Sequence, residues 1–209
     1  MKKKYNLLPD IILIENHGMF VGAETTREIK TIHNFVIGTL KKQIVREPDF
    51  SLTRINKEVM EKVCRRLKNY SAFKDAYITF EYNTEISAAV KDSASFQKVH
   101  SSYTPDHIVY TGPEMLFVED SNKIEQDIDQ YRERNECYPK VIAVKMTGVF
   151  TQGDEENSSH IAMLFFLDAM KIAVYTESFG GYKFMDKEQI DFIKNWEVEK
   201  FRSKVSLDK

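Results

Sequence analysis

Five histidines are the side chains of this 209-residue chain best suited to hold a metal or move a proton near neutral pH: His17, His33, His100, His107 and His160. They form no His-x-His pair. His17 has the most distinctive setting. It follows the apolar run Ile11–Ile14 and Glu15-Asn16, and Gly18 comes directly after it. An imidazole at a strand end beside a glycine is either a metal ligand or a hydrogen-bonded edge residue. Glu15 falls on the same face of a regular strand, where it either orients His17 or stays solvated. His100 and His107 flank Thr104-Pro105-Asp106, where they are either ligands in a rearranged metal site or parts of a polar loop with a capping Asp, the second being the expected reading. His33 falls on the inner side of a helix, as a core histidine, and His160 opens another helix. Tyr82, Tyr103 and Tyr110 are candidate proton donors among ten tyrosines. Glu119-Asp120 could share acid–base work, or simply favour the positive end of a helix dipole. Cys64 and Cys137 belong to no Cys-x-x-Cys, so neither a disulfide framework nor a cysteine zinc site is expected. No phosphate-binding loop, Gly-x-Ser-x-Gly or Gly-x-Gly-x-x-Gly occurs.

The elements that must position these groups alternate between strands and helices. Ile11–Ile14 is β-branched and continuous, the pattern of a strand buried on both faces. Met19-Phe20-Val21 resumes it after Gly18. A helix capped by Thr25 or Thr26 carries Ile29, Ile32, Val36, Ile37 and Leu40 on one face. A second helix, capped by Ser51 or Thr53, carries Ile55, Val59, Val63 and Leu67. Tyr77–Tyr82 alternates as a strand, and residues 84–99 read as short helix and loop. Ile108-Val109-Tyr110 and Met115–Val118 read as short strands joined across Gly112-Pro113. Asn122 to Asn135 is a charged helix, Val141–Val144 a buried strand, and Ser158 to Ser178 a long apolar helix stopped by Gly180-Gly181. A last amphipathic helix spans Asp186 to Lys204. The fold class expected is α/β around a mixed sheet.

Composition narrows the class. Thirty Lys and Arg against 32 Asp and Glu leave a net charge of −2, which argues against a nucleic-acid partner bound through bulk charge. With 42% hydrophobic and 30% charged residues, the chain has the makings of a core. The most apolar stretch, Ile161 to Tyr175, is interrupted by Asp168 and Lys171 and falls short of the roughly 20 residues a bilayer span needs. A soluble, cytoplasmic protein with no membrane partner is expected.

Two stretches repeat. Pro9-Asp10-Ile-Ile-Leu-Ile-Glu-Asn-His17-Gly18-Met-Phe20 aligns with Pro139-Lys140-Val-Ile-Ala-Val-Lys-Met-Thr147-Gly148-Val-Phe150, 130 residues later. With one inserted residue, Gly22-Ala-Glu24 aligns with Gly153-Asp-Glu155, and a long helix follows each. His17 in the first copy is Thr147 in the second. Threonine is a poor zinc ligand, so the second copy reads as a structural or interface unit.

The run Ile-Leu-Ile-Glu-Asn16-His17-Gly18-Met-Phe-Val-Gly22-Ala-Glu24 resembles the class II aldolase/adducin family. Tyr103-Thr104-Pro105-Asp106-His107, Thr111-Gly112-Pro113, Phe179-Gly180-Gly181-Tyr182 and Trp196-Glu197-Val198-Glu199 extend the likeness. They resemble the aldolase portion of long bacterial fusions of a rhamnulose-phosphate-type aldolase to a short-chain dehydrogenase. The resemblance implies a three-layer α/β fold and makes His17 one of three histidine ligands to a catalytic zinc that cleaves a sugar phosphate. The other two, a His-x-His pair, are expected with the upstream half of the fold, before Met1. It further implies an incomplete first unit over residues 1–45, a helical connector over 46–70 and a second aldolase-like region over 71–209. Zinc is thus the family's cofactor, though one imidazole alone should not retain it. The expected partners are a second copy of the chain, in a homo-oligomer, or a complementary aldolase chain, with a sugar phosphate as ligand. Three functional readings remain open: an aldolase inactive as this chain alone, a non-catalytic scaffold as in the adducin branch, or a subunit of a split aldolase.

Overall fold

The structure, a computed structural model, describes residues 8–196. Its larger part is a four-stranded sheet in the order β3–β6–β5–β4, built from Tyr77–Glu81 (β3), Leu116–Val118 (β4), Val141–Val144 (β5) and Gly148–Gly153 (β6). β6 is antiparallel to both β3 and β5, whereas β4 and β5 run parallel, so the sheet is mixed. Alternation along the central strands divides their side chains between two layers. Val141, Ala143 and Val149 face Met163, Phe166, Ala169 and Met170 of a long helix, Glu156–Thr176 (α7), together with Ile86 and Phe96. Ile142, Val144 and Phe150 face the other way. There they meet Val63 and Leu67 of Lys57–Asn69 (α2) and Ile124, Ile128 and Tyr131 of Ile124–Asn135 (α6). The result is three layers, helix–sheet–helix. Among the described residues α7 is long and apolar enough to cross a bilayer by length and composition, but one side of it, with Met163, Phe166, Ala169 and Met170, packs into the core against this sheet.

Ahead of this body, Ile11–Ile14 (β1) and Gly18–Val21 (β2) form a two-stranded hairpin, followed by Thr26–Lys41 (α1). The helix starts because Thr25 and Glu28 close a reciprocal capping box: the Glu28 amide donates to Thr25 Oγ1 at 3.2 Å and the Thr25 amide to Glu28 Oε2 at 3.0 Å. The expectation that β1 is buried on both faces is overturned. All four of its residues are exposed, and α1 has no buried residue. A β-branched run is buried only when neighbouring strands and helices cover it, and here among the described residues β2 is β1's only strand partner.

The repeat is structural. Asn16 and Met146 both adopt a left-handed conformation, with φ of 55° and 54°, and Gly18 and Gly148 follow at 155° and 144°. Ile14 pairs with Gly18 as Val144 pairs with Gly148. The Gly22 amide donates to Asp10 O at 2.9 Å, and the Gln152 amide to Lys140 O at 3.0 Å. Each matched pair lies 130 residues apart, and so do the helix starts at Thr26 and Glu156. The alignment of Gly22 with Gly153 across an inserted residue is therefore corrected: Gly22 matches Gln152, and no residue is inserted. Gly153 has a separate role, because a Cβ there would lie 2.0 Å from Ser158 Oγ and 2.7 Å from the Ser159 amide.

Four further expectations change. Residues 105–111 form a helix, Pro105–Thr111 (α5), not a strand. Thr104 caps it and Pro105 occupies its first turn, a start signal that outweighs the β propensity of Ile108-Val109-Tyr110. Asn56, not Ser51 or Thr53, caps α2, its side chain accepting from the Val59 amide at 3.2 Å. The apolar helix starts two residues earlier than expected, at Glu156. The last helix, Lys187–Asn195 (α8), accounts for the described part of the 186–204 segment; Phe201 and the motif beyond Trp196 lie outside the described residues.

Candidate functional site

The His17 turn is built by three residues with distinct tasks. Asn16 supplies the left-handed backbone that a tight turn needs, a conformation asparagine tolerates well. Its side-chain amide then donates to Tyr103 O at 3.0 Å and to Lys183 O at 2.9 Å, which fixes the hairpin end against the larger body. Glu15 forms an ion pair with Lys183 and so does not orient His17. The imidazole itself is exposed and nearly parallel to Phe20, at 6° and 6.3 Å between centroids. In the second copy Thr147 is buried and its hydroxyl donates to Lys145 O at 3.1 Å, while Lys145 pairs with Glu119. Asp120 accepts from the Asn122 amide at 2.9 Å and starts a short helical turn. Neither carboxylate of Glu119-Asp120 is placed to share a proton with the other.

The remaining histidines do not converge on His17. His33 is exposed on α1, which corrects its reading as a core residue: the helix contains no buried residue, and its apolar face is only partly covered. His160 is exposed in the second turn of α7, as the helix's fifth residue. His100 holds its Nδ1 2.8 Å from Gln97 O and sets its ring edge-on to Phe184. Among the described residues no three His, Cys, Asp or Glu side chains gather to hold a metal. A catalytic zinc usually takes about three protein ligands and keeps one open position. One exposed imidazole, with the neighbouring Glu15 in sequence committed to Lys183, does not fit that ion.

His107, expected beside a polar loop, is instead fully buried within the helix α5. Its side chain has no solvent exposure. Nδ1 lies 3.1 Å from the Thr104 hydroxyl, whose oxygen also accepts from the His107 amide at 3.4 Å. That hydroxyl can therefore donate to Nδ1, leaving the ring proton on Nε2. Nε2 stands 3.4 Å from Asp168 Oδ2, near enough to favour the carboxylate but outside hydrogen-bond alignment. The His107 ring holds the Asp168 carboxyl below its ordinary pKa, despite the opposing effect of burial. The pair joins α5 to α7, with Phe165 edge-on to the imidazole. The sequence signal was Thr104 three residues before His107, a cap spacing; Asp168, 61 positions further on, stood out only as a charge interrupting an apolar run, with nothing to pair it with His107.

The tyrosine candidates already have partners within the fold. Tyr103 donates to Lys98 O at 2.5 Å, and burial pushes its hydroxyl well above the ordinary pKa. Tyr82 donates to Ser87 Oγ at 3.0 Å, and Tyr110 stacks on Phe165 at 4.4 Å. A cavity of about 230 Å³ opens beside α7, floored by Ala89, Val99, Met170 and Ala173. Its charged rim is matched internally: Arg46 pairs with Glu85 at 2.6 Å and with Glu177 at 3.0 Å, and Lys98 pairs with Glu177 at 3.0 Å.

No family model matches the sequence, and no curated protein matches it. Among solved structures, the chain is similar to an aldolase II superfamily protein from Pseudomonas syringae. The identity is 13% and the TM-score 0.46, over 74% of this chain. The match covers 62% of that protein, so the chain spans less than two thirds of it.

Proposed function

We propose that this chain is a class II aldolase-like protein, related to metal-dependent cleavage of sugar phosphates, whose first unit becomes competent only when further polypeptide completes it. The observation that carries the reading is the setting of His17. It sits exposed on a hairpin end, in a unit whose strand β1 and helix α1 contain no buried residue, while the matched strand β5 of the second copy is buried along its length and its turn carries Thr147 instead. The ordered motifs from Asn16-His17-Gly18 to Gly180-Gly181 support the same reading. Zinc would be shared: His17 would contribute one ligand, and the completing polypeptide the rest.

The test compares the isolated chain with the complex recovered from cells that make it. Zinc is measured by elemental analysis and activity as triose phosphate released from a ketose 1-phosphate. The isolated chain is expected to hold no stoichiometric zinc and to release no product. The complex is expected to hold zinc and to lose both zinc and activity on His17→Ala, but not on His33→Ala. One zinc per isolated chain that survives His17→Ala would overturn the proposal, as would a complex indifferent to His17→Ala.

A further inference from the structure

The cavity beside α7 has an apolar floor and a charged mouth. Ala88 and Ala89 of Thr84–Ala89 (α3), Val99, and Met170, Ala173 and Val174 of α7 line it. Close-packed interiors seldom leave such a hollow, and here three alanines keep it open. Its volume is about 230 Å³. A dry apolar cavity of roughly 150 Å³ holds a benzene ring, so this one suits an apolar body of roughly six to nine carbons. Small ligands bind in pockets of this kind, apolar with a few converging polar groups. Among the described residues the His17 turn contributes nothing to the lining.

Two cations and two carboxylates stand at the mouth, and the carboxylates are not equivalent. The Glu85 side chain is 8% exposed; it accepts from Arg46 Nη1 at 2.6 Å and from the Asp49 amide at 2.9 Å. The Glu177 side chain is 30% exposed, and its partners among the described residues are Arg46 and Lys98, with Nε and Nζ each at 3.0 Å. It sits at the C-terminal end of α7, the negative pole of that helix, where a carboxylate is disfavoured. The cations are held in place without it. The Val45 amide donates to Ser178 Oγ at 3.0 Å and Tyr175 donates to Glu47 Oε2 at 2.7 Å, so the residues on both sides of Arg46 are tied down. Lys98 O accepts from the Tyr103 hydroxyl at 2.5 Å. Glu177 can therefore swing into water and leave two cations facing one carboxylate position above an apolar floor.

We propose that this cavity binds a small monocarboxylate with a compact apolar tail, and that Glu177 is its internal competitor. The carboxylate of the ligand takes the place of Glu177 between Arg46 and Lys98, and its tail lies over Ala89, Met170 and Ala173. Exchange of one carboxylate for another leaves the charge at the mouth unchanged. A cationic head would meet Arg46 and Lys98 with like charge, and a neutral head would gain nothing from either. The site shares no residue with the His17 turn, so the inference stands or falls independently of zinc and aldol chemistry.

The experiment titrates the full chain with hexanoate, 1-hexanol and hexylamine by calorimetry, and follows the Met170 and Ala173 methyl resonances by NMR. Hexanoate is expected to bind once per chain at millimolar concentration and to shift both methyls. Lys98→Met, at an exposed position, should weaken hexanoate about fivefold, the worth of one solvent-exposed ion pair. Glu177→Gln should tighten hexanoate by about as much and leave hexanol unchanged. Ala173→Leu should fill the cavity and abolish binding; where that variant fails to fold, the two variants at the mouth still decide. Hexanol or hexylamine binding as tightly as hexanoate, Glu177→Gln weakening hexanoate, or no methyl shift with any of the three probes would each overturn the inference.

Discussion

Gly148→Ala and Gly18→Ala place the same methyl group in two copies of one turn. At Gly148 the new Cβ would stand 2.6 Å from Phe80 Cε2, 2.8 Å from its Cζ and 3.0 Å from Glu81 O. Carbon atoms prefer about 3.5–4.0 Å. The Phe80 ring has little room to retreat, because it lies 4.8 Å from the fully buried Phe150 ring. Overpacking of this kind costs roughly 1–3 kcal/mol. The backbone, at φ of 144°, adds roughly 1–2 kcal/mol for a residue with a Cβ. Together these give about 2–5 kcal/mol, or a fall in melting temperature of about 4–20 °C for a body of this size. At Gly18 a Cβ meets nothing within 4 Å, and the surrounding unit has little buried to lose. The main unfolding transition should then move by under about 1 kcal/mol. Urea titration followed by far-ultraviolet circular dichroism measures both. Equal costs for the two variants, or a Gly148→Ala protein within about 1 kcal/mol of the wild type, would refute the reasoning.

Three more outcomes follow from the same structure. Ile142→Ala should cost about 2–5 kcal/mol in urea titration and the matched Ile12→Ala under about 1 kcal/mol, because only Ile142 is enclosed; comparable losses would mean β1 is covered after all. The Asp168 carboxyl, held by His107 below its ordinary value of 3.8, stabilises the fold above about pH 4 and stops doing so as pH falls through its lower folded value. The gap in urea midpoint between wild type and Asp168→Asn should therefore close on acidification, and a gap constant down to pH 2 would exclude that coupling. Burial pushes the Cys137 thiol up, so iodoacetamide at pH 8 should modify it more slowly in the native protein than after unfolding; equal rates by peptide mass mapping would count against that burial.

The central strands were legible because their neighbours are in the chain: Val141–Val144 reads as buried and is buried. Ile11–Ile14 has the same residue chemistry and the opposite environment, since burial is a property of the surroundings and not of the run itself. The Ile108-Val109-Tyr110 segment was misread because β propensity is weaker than a Thr-Pro helix start. His17 was legible as a turn residue beside a glycine, and so was the correspondence of His17 with Thr147. The constant 130-residue spacing through Gly22 was obscured by the chance glycine at 153. The closeness of His107 and Asp168 was not legible at all, because it depends on how α5 crosses α7, and no local pattern encodes a crossing.

The sheet order also sets a timetable for biosynthesis. β5 and β6 occupy the middle of the sheet but come last in sequence among its strands, whereas β3 and β4 lie at its two margins. A ribosome releases the margins first. Neither has a sheet to join until residues 141–153 emerge, because Tyr77 must wait for Gly153 and Leu116 for Ile142. The β5–β6 hairpin closes locally within microseconds of its release, and the two waiting strands then add to it from either side. The early nascent chain thus carries α2, β3 and β4 with their apolar surfaces unmet, and is open to chaperones and proteases until its final third is made.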